Sequence, residues 1–326
     1  MTSHSIAVML HDLFAHMSMV ERVSLATIGA SAVILALLER VIPYTRGQRF
    51  LREGFFDDFA MYTIAQNYVL SIVIFSFIIV RLDAVGGFSR LQLLSRWPLW
   101  LQVGLFVVTH DFYIYWMHRW QHRNRYMWRL HEAHHSPTSV DWLSGSRSHC
   151  VEILINQTVE FAPIVLLGAS PEVVGLKGMI SAVWGMYIHA NLNVHTGRLQ
   201  WLINGPEMHR WHHAKGKGMR SNFSTKLAVW DWMFGTAFFP ANQRAAGYGV
   251  RTWFPKHYVG QTLYAFRPLR WRASSSQAPQ SAPSSALVSR QEVTATRRQA
   301  RWPNRTRSLS QPPPELPPSP RADPAT

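Results

Sequence analysis

The chain has 326 residues, 47% of them apolar and only 16% charged, with a formal net charge of +15. An average soluble protein carries roughly 25% charged residues, and here the apolar residues are clumped into long runs, which favours a membrane protein over a soluble globular one. A single cysteine, Cys150, excludes an intramolecular disulfide framework and a thiolate cluster, so any metal must be held by nitrogen and oxygen.

In chain order, residues 23–38 form a first uncharged run and residues 59–80 a second, of a length that matches the roughly 20 residues needed to cross a bilayer core. The first run begins too late to read as a cleavable signal peptide. Residues 97–117 are a third, aromatic-rich candidate span, ending at the basic cluster Arg119, Arg123, Arg125 and Arg129. Residues 151–169 and 173–188, broken by Pro163, Gly168 and Pro171, predict a tight helical hairpin entering and leaving the membrane; buried helices of a soluble core are the alternative.

Loop charges set the expected orientation. Arg46, Arg49 and Arg52 balance Arg81, Arg90 and Arg96, but the histidine-rich segments carry four Arg over 118–129 and Arg210, Lys215, Lys217, Arg220 and Lys226 further on. The positive-inside rule therefore puts the histidines on the cytoplasmic side. From residue 267 the composition turns to Arg, Pro, Ser and Gln, with ten Arg against three acidic residues, which predicts a disordered basic tail over 267–326. On a membrane protein such a tail is expected to lie against anionic lipid headgroups rather than nucleic acid.

Twelve of the 16 histidines fall between residues 110 and 213. His118 and His122 are four apart; His131, His134 and His135 fall at i, i+3 and i+4; His209, His212 and His213 repeat that pattern. On a helix these offsets share one face, close enough to chelate one ion or to project at a neighbouring one. So many imidazoles at a membrane surface would cost several kcal/mol if left unpaired, and eight nitrogen donors exceed the roughly three that a catalytic zinc uses, so two metals are implied. Imidazole suits Zn, Cu, Fe and Ni alike. A soluble di-iron bundle would need two E-x-x-H pairs, and only Glu132–His135 supplies one, because Arg210 follows Glu207 by three. The segment "LHEAHHS" (130–136) reads either as H-E-x-x-H, a zinc-protease motif with Glu132 as base, or as H-x-x-H-H with three ligands.

Five segments together resemble the fatty acid hydroxylase and sterol desaturase superfamily of membrane di-iron enzymes: "DFYIYWMHRWQH" (111–122), "HEAHHSP" (131–137), "HAN" (189–191), "PEMHRWHHA" (206–214) and "NFSTKLAVWDWMFGT" (222–236). The resemblance implies that residues 97–266 are the catalytic domain, after N-terminal transmembrane helices in 1–96. It implies two irons that use O2 to hydroxylate or desaturate an unactivated C–H bond of a membrane lipid. The implied ligands are His118, His122, His131, His134, His135, His209, His212 and His213, with His189 as a further ligand and His195 as a possible tenth. His149, in "RSHCVE", matches a family stretch with Cys150 in place of Pro; like Asn191 it is expected to support ligands rather than hold metal. Asp111, two turns before His118, is placed to accept an imidazole N–H or to pair with a nearby Arg. Aromatics such as Phe112, Tyr113, Trp116 and Trp184 are expected to line the substrate cavity.

The chain has no G-x-G-x-x-G nucleotide fingerprint, so electrons are expected from a separate cytochrome b5-like or ferredoxin-type partner, docked on basic surface around residues 210–220. The expected architecture is all-α: a multi-pass transmembrane bundle with a cytoplasm-facing histidine-rich cap, then the disordered tail. The competing functions are an intramembrane zinc protease using Glu132 and a non-enzymatic haem or metal carrier.

Overall fold

The computed structural model describes residues 17–240 and 243–268. The tail expected over 267–326 falls, from residue 269 on, outside the described residues. The described residues are mostly helical; their only β pairings are isolated bridges, Pro43 with Leu192 and Ala214 with Tyr248.

Helix α1, Met19–Val41, starts on a capping box in which Ser18 and Glu21 satisfy each other's backbone N–H groups. Helix α2 is one 30-residue rod, Asp57–Gly86, wound with wide π turns over 57–66 and 73–79, and it ends where Gly87 takes a left-handed conformation at φ 62°. Both α1 and α2 are long and apolar enough to cross a bilayer, with mean hydropathies of 1.6 and 2.2, and only 11% of each apolar window is buried. Side chains such as Val33, Leu37, Phe77 and Val80 point outward. Water would not tolerate apolar faces of this extent, and lipid would; the chain is a membrane protein.

Helix α3, Leu99–Arg123, runs 25 residues through the third apolar segment to the basic cluster. Asn124 then caps the short helix α4, Arg125–His131, by accepting from the Tyr126 and Met127 N–H groups. Helices α5, Cys150–Leu166, and α6, Glu172–His189, form a hairpin with Gly168 at φ 63° in its turn and Pro171 before α6; Pro163, expected as a break, lies inside α5. Phe106, Ile164 and Val173 of these helices form one apolar core with Leu94 of the preceding loop, and Ile74, Ile79 and Ala162 join α2 to α5 in another. Leu35 of α1 packs with Ala190 and Leu192 just past α6. Beyond them lie α7, Pro206–His213, entered by Pro206 at its first turn, and the short helices α8, Val229–Met233, and α9, Tyr258–Tyr264.

Candidate metal centre

The boxes converge. His118, His122, His131, His135 and His212 form one cluster and His134, His189, His209 and His213 a second, the candidate ligand atoms of each lying within 4.8 Å of one another. Eight of the nine rings are buried and His122 is half-buried. The boxes are divided between clusters rather than assigned one to each. Helix α4 stops at His131, so His134 and His135 sit in the following turn and not on a shared helix face as the spacing predicted. Neighbouring side chains diverge in direction, which sends His135 to the first cluster and His134 to the second, and likewise His212 and His213 at the end of α7.

Neutral imidazoles are required for ligation, and the surroundings enforce that state. Burial, reinforced by the neighbouring imidazoles, holds His118, His122, His134, His135, His209 and His213 well below the ordinary histidine pKa. Burial takes His212 down to about 3. Outer nitrogens are tied back to the fold: His118 Nδ1 to the Phe223 carbonyl at 2.7 Å, His212 Nδ1 to the Ser221 carbonyl at 2.7 Å, His134 Nδ1 to the Arg147 carbonyl at 3.1 Å, and His131 Nδ1 to Glu152 at 2.9 Å. Each of these rings therefore carries its proton on Nδ1 and turns a bare Nε2 inward. Nε2 of His118, His122 and His131 is buried without any hydrogen-bond partner. In the second cluster the Nε2 atoms of His134, His189, His209 and His213 face one another at 3.1–3.2 Å. Ligand nitrogens about 2.0–2.1 Å from a shared ion sit roughly 3.0–3.4 Å apart, so these separations fit a metal between the rings. The donor set suits iron among the imidazole-binding metals, without selecting it on geometry alone.

A cavity of about 240 Å³ runs up to both clusters, touching His118 and His131 of the first and His134, His189 and His209 of the second. Its walls include Ile114, Met117, Ile153, Trp184 and Ile188. A separate recess reaches His122 from another side, bordered by Arg123 and Arg220.

Residues 103–236 match the model of the fatty acid hydroxylase family. They form a fatty acid hydroxylase domain. All nine clustered histidines lie inside it. The chain is 28% identical over 244 residues to an ornithine lipid hydroxylase from Rhizobium tropici, covering 73% of each chain. It is 28% identical to the alkylglycerol monooxygenase of Homo sapiens, over 43% of this chain and 31% of that one. A methylsterol monooxygenase of Arabidopsis thaliana is 29% identical over 48% of this chain and 54% of its own. The chain thus spans about three quarters of the first relative but only about a third and a half of the other two. No solved structure matches.

Several expected residues take other places in the hydroxylase domain. His195 does not reach either cluster: its side chain is 81% exposed, with Nδ1 on Glu207 at 2.7 Å. Asp111 does not touch His118 and pairs with no Arg. It accepts from Thr225 Oγ1, the Lys226 and Leu227 N–H groups and Trp230 Nε1, all within 3.0 Å, and so fastens the loop that carries the Phe223 carbonyl to His118. Asn191 clamps Thr45, and its backbone N–H goes to Glu39, which fixes the chain just past His189 against the end of α1. His149 caps α5 through Nδ1 and reaches the Thr262 carbonyl with Nε2. Phe112 and Trp116 pack on Phe234 instead of lining the cavity, and Tyr113 bonds Asn156; of the four aromatics only Trp184 lines it. Arg210 is buried, donating to the Ala190 and Leu192 carbonyls over the Tyr44 ring, and Lys226 is buried too, which leaves Lys215, Lys217 and Arg220 at the surface of that basic stretch.

Glu132 settles the parsing of "LHEAHHS". Its carboxylate is buried, lies in neither histidine cluster and receives Arg267 Nη2 at 2.7 Å. The similar proteins named above are a hydroxylase and two monooxygenases, so nothing supports the protease reading.

Sequence reasoning missed Glu152, which holds both His131 and Gln121, although it lies in the quoted "RSHCVE" stretch. It also missed Gly145, where an added Cβ would lie 2.5 Å from His189 Nδ1, whereas Asp231, in the quoted 222–236 segment, supports the fold by pinning the Phe223 and Ser224 N–H groups and Thr236. A buried ion network, Arg52 with Asp58 and Asp141 and Arg147 with Asp58, holds the 141–147 loop and with it the carbonyl that orients His134.

Proposed function

We propose that the chain is a membrane oxygenase that binds two irons and uses O2 to hydroxylate or desaturate an unactivated C–H bond of a lipid. The carrying observation is the convergence of nine imidazoles in two sets, five of them lining one cavity, within a fatty acid hydroxylase domain. We assign one iron to His118, His122, His131, His135 and His212 and the other to His134, His189, His209 and His213. Bound there, the metals supply the reducing and hydrogen-abstracting chemistry of O2 activation.

The chain's own residues prepare that chemistry. Backbone carbonyls of Phe223, Ser221 and Arg147 and the Glu152 carboxylate fix the rotation and tautomer of four ligands before anything binds. Ile114, Met117, Ile153 and Ile188 present an apolar wall to a lipid chain and keep water from its reacting carbon. The recess beside His122, with Arg123 and Arg220, offers positive charge to an acidic electron-donating partner of the cytochrome b5-like or ferredoxin type. With the basic loops on the cytoplasmic face, the centre would open to that compartment.

The reading is tested by comparing lipid extracts of cells with and without the protein under isotopically heavy O2. A lipid that gains one heavy oxygen, or loses two hydrogens only when O2 is present, is expected, and His134→Ala should abolish it. Folded, metal-loaded protein that alters no lipid would overturn the reading.

A further inference from the structure

The far end of the cavity holds a polar cluster that the metal chemistry does not use. Lys177 of α6 is fully buried, and its ammonium is spent on three acceptors: Glu160 of α5, Ser181 Oγ at 3.0 Å and His110 Nδ1 of α3 at 3.2 Å. Ser181 also donates to Glu160 at 2.6 Å. Charged groups are expensive at membrane depth and persist there when paired or when they serve a ligand.

The pairing decides the tautomer of His110. A lysine ammonium can only donate, so Nδ1 is the acceptor and the ring proton sits on Nε2. His110 is 9% exposed and lines the cavity, and its Nε2 is buried with no partner. An unpartnered donor is thus left on a ring that lines the cavity leading to the histidines. Lys226 adds a buried cation to the same lining; Asp111 engages its backbone N–H rather than its ammonium. Two donors and an intervening apolar wall describe a site for a chain with an oxygen acceptor at one end. His110 precedes His118 by eight residues on α3, a rise of about 12 Å.

We propose that His110 and Lys226 bind a hydrogen-bond-accepting oxygen of the substrate lipid, a carboxylate or carbonyl, and so set which carbon, several positions along the chain, meets the metal centre. The Lys177–Glu160–Ser181 group is the support that holds His110 in its donor tautomer. This rests on the oxygenase reading of the site, and it narrows the substrate to acyl lipids with a polar group within reach of the oxidised position, against hydrocarbons without one.

The test uses full-length, iron-loaded protein in detergent, without reductant. Binding of radiolabelled N-palmitoylglycine, which carries a carboxylate and an amide carbonyl, is compared with that of radiolabelled hexadecane. The native protein should favour N-palmitoylglycine by about tenfold or more, the range of a buried donor left unmet. His110→Phe and Lys226→Met should each cut that preference at least threefold with iron content unchanged, and His110→Gln, which restores an N–H, should recover part of it. Equal binding of the two probes, or variants that keep the full preference, would overturn the proposal. The readout involves no turnover, so a protein that binds as described but oxidises no lipid would count against the oxygenase reading alone.

Discussion

The two histidine clusters share the 131–137 and 206–214 segments yet are held in different ways. The five-histidine cluster is tied to a carboxylate, through Glu152 on His131, and to the 221–223 loop through His118 and His212. The four-histidine cluster leans on backbone alone, the Arg147 carbonyl behind His134 and the Gly185 carbonyl behind His189, with His209 Nδ1 buried and unpartnered. A carboxylate behind an imidazole raises ligand basicity more than a carbonyl does, so the first cluster should hold its metal more tightly. The second has three of its four rings on the cavity wall, against two of five in the first.

Adjacent substitutions offer the sharpest break in that comparison. His135→Ala should empty the five-histidine cluster and His134→Ala the four-histidine one, each costing at least about 100-fold in turnover and leaving close to one metal per chain, measured by elemental analysis. If both variants lost the same metal, the division between clusters would be wrong. Next in size, Glu152→Gln should weaken metal binding about 10–100-fold at the five-histidine cluster and leave the other unchanged in a chelator titration. Gly145→Ala addresses the opposite cluster. The new methyl group collides with His189, so an overpacking cost of about 1–3 kcal/mol is expected, read as a lower melting temperature with metal loss confined to the four-histidine cluster.

Acid should act on both clusters when metal is absent. His118, His122, His134, His135, His189, His209, His212 and His213 are held neutral in the fold, below an unfolded value of about 6.5, with His212 at about 3. The unfolded chain therefore binds more protons than the folded one in that window, and stability falls as pH drops below about 6.5. Metal-stripped protein should melt progressively lower from pH 7.5 to 5, and loaded protein should resist until its ligands are displaced. Smallest of all, Glu132→Gln should leave turnover within about twofold and cost about 1 kcal/mol through the weakened Arg267 contact.

What the sequence could show follows from the range of each interaction. Helical hydropathy and histidine spacing are local, so the apolar helices, the hairpin turning at Gly168 and Pro171 and the grouping of the eight histidines were legible in the sequence, although α5 runs on through Pro163 and α4 stops before His134. His189 followed from the family resemblance. Partnerships across the chain were not legible: Asp111 lies two turns from His118 yet serves a loop more than a hundred residues away. His195 looked like a ligand because it follows His189 closely, but the backbone leaves the helix at Ala190 and carries it into solvent. Arg210 looked like surface charge because spacing says nothing about the carbonyls and the Tyr44 ring that bury it.

The central claim is that two metal sites made of imidazole alone lie side by side at the end of a lipid cavity. Metal content and identity in detergent-purified full-length protein test it most directly. The account predicts two irons per chain, falling to about one in either His134→Ala or His135→Ala; a single tightly bound zinc, lost only together with Glu132-dependent activity, would contradict it.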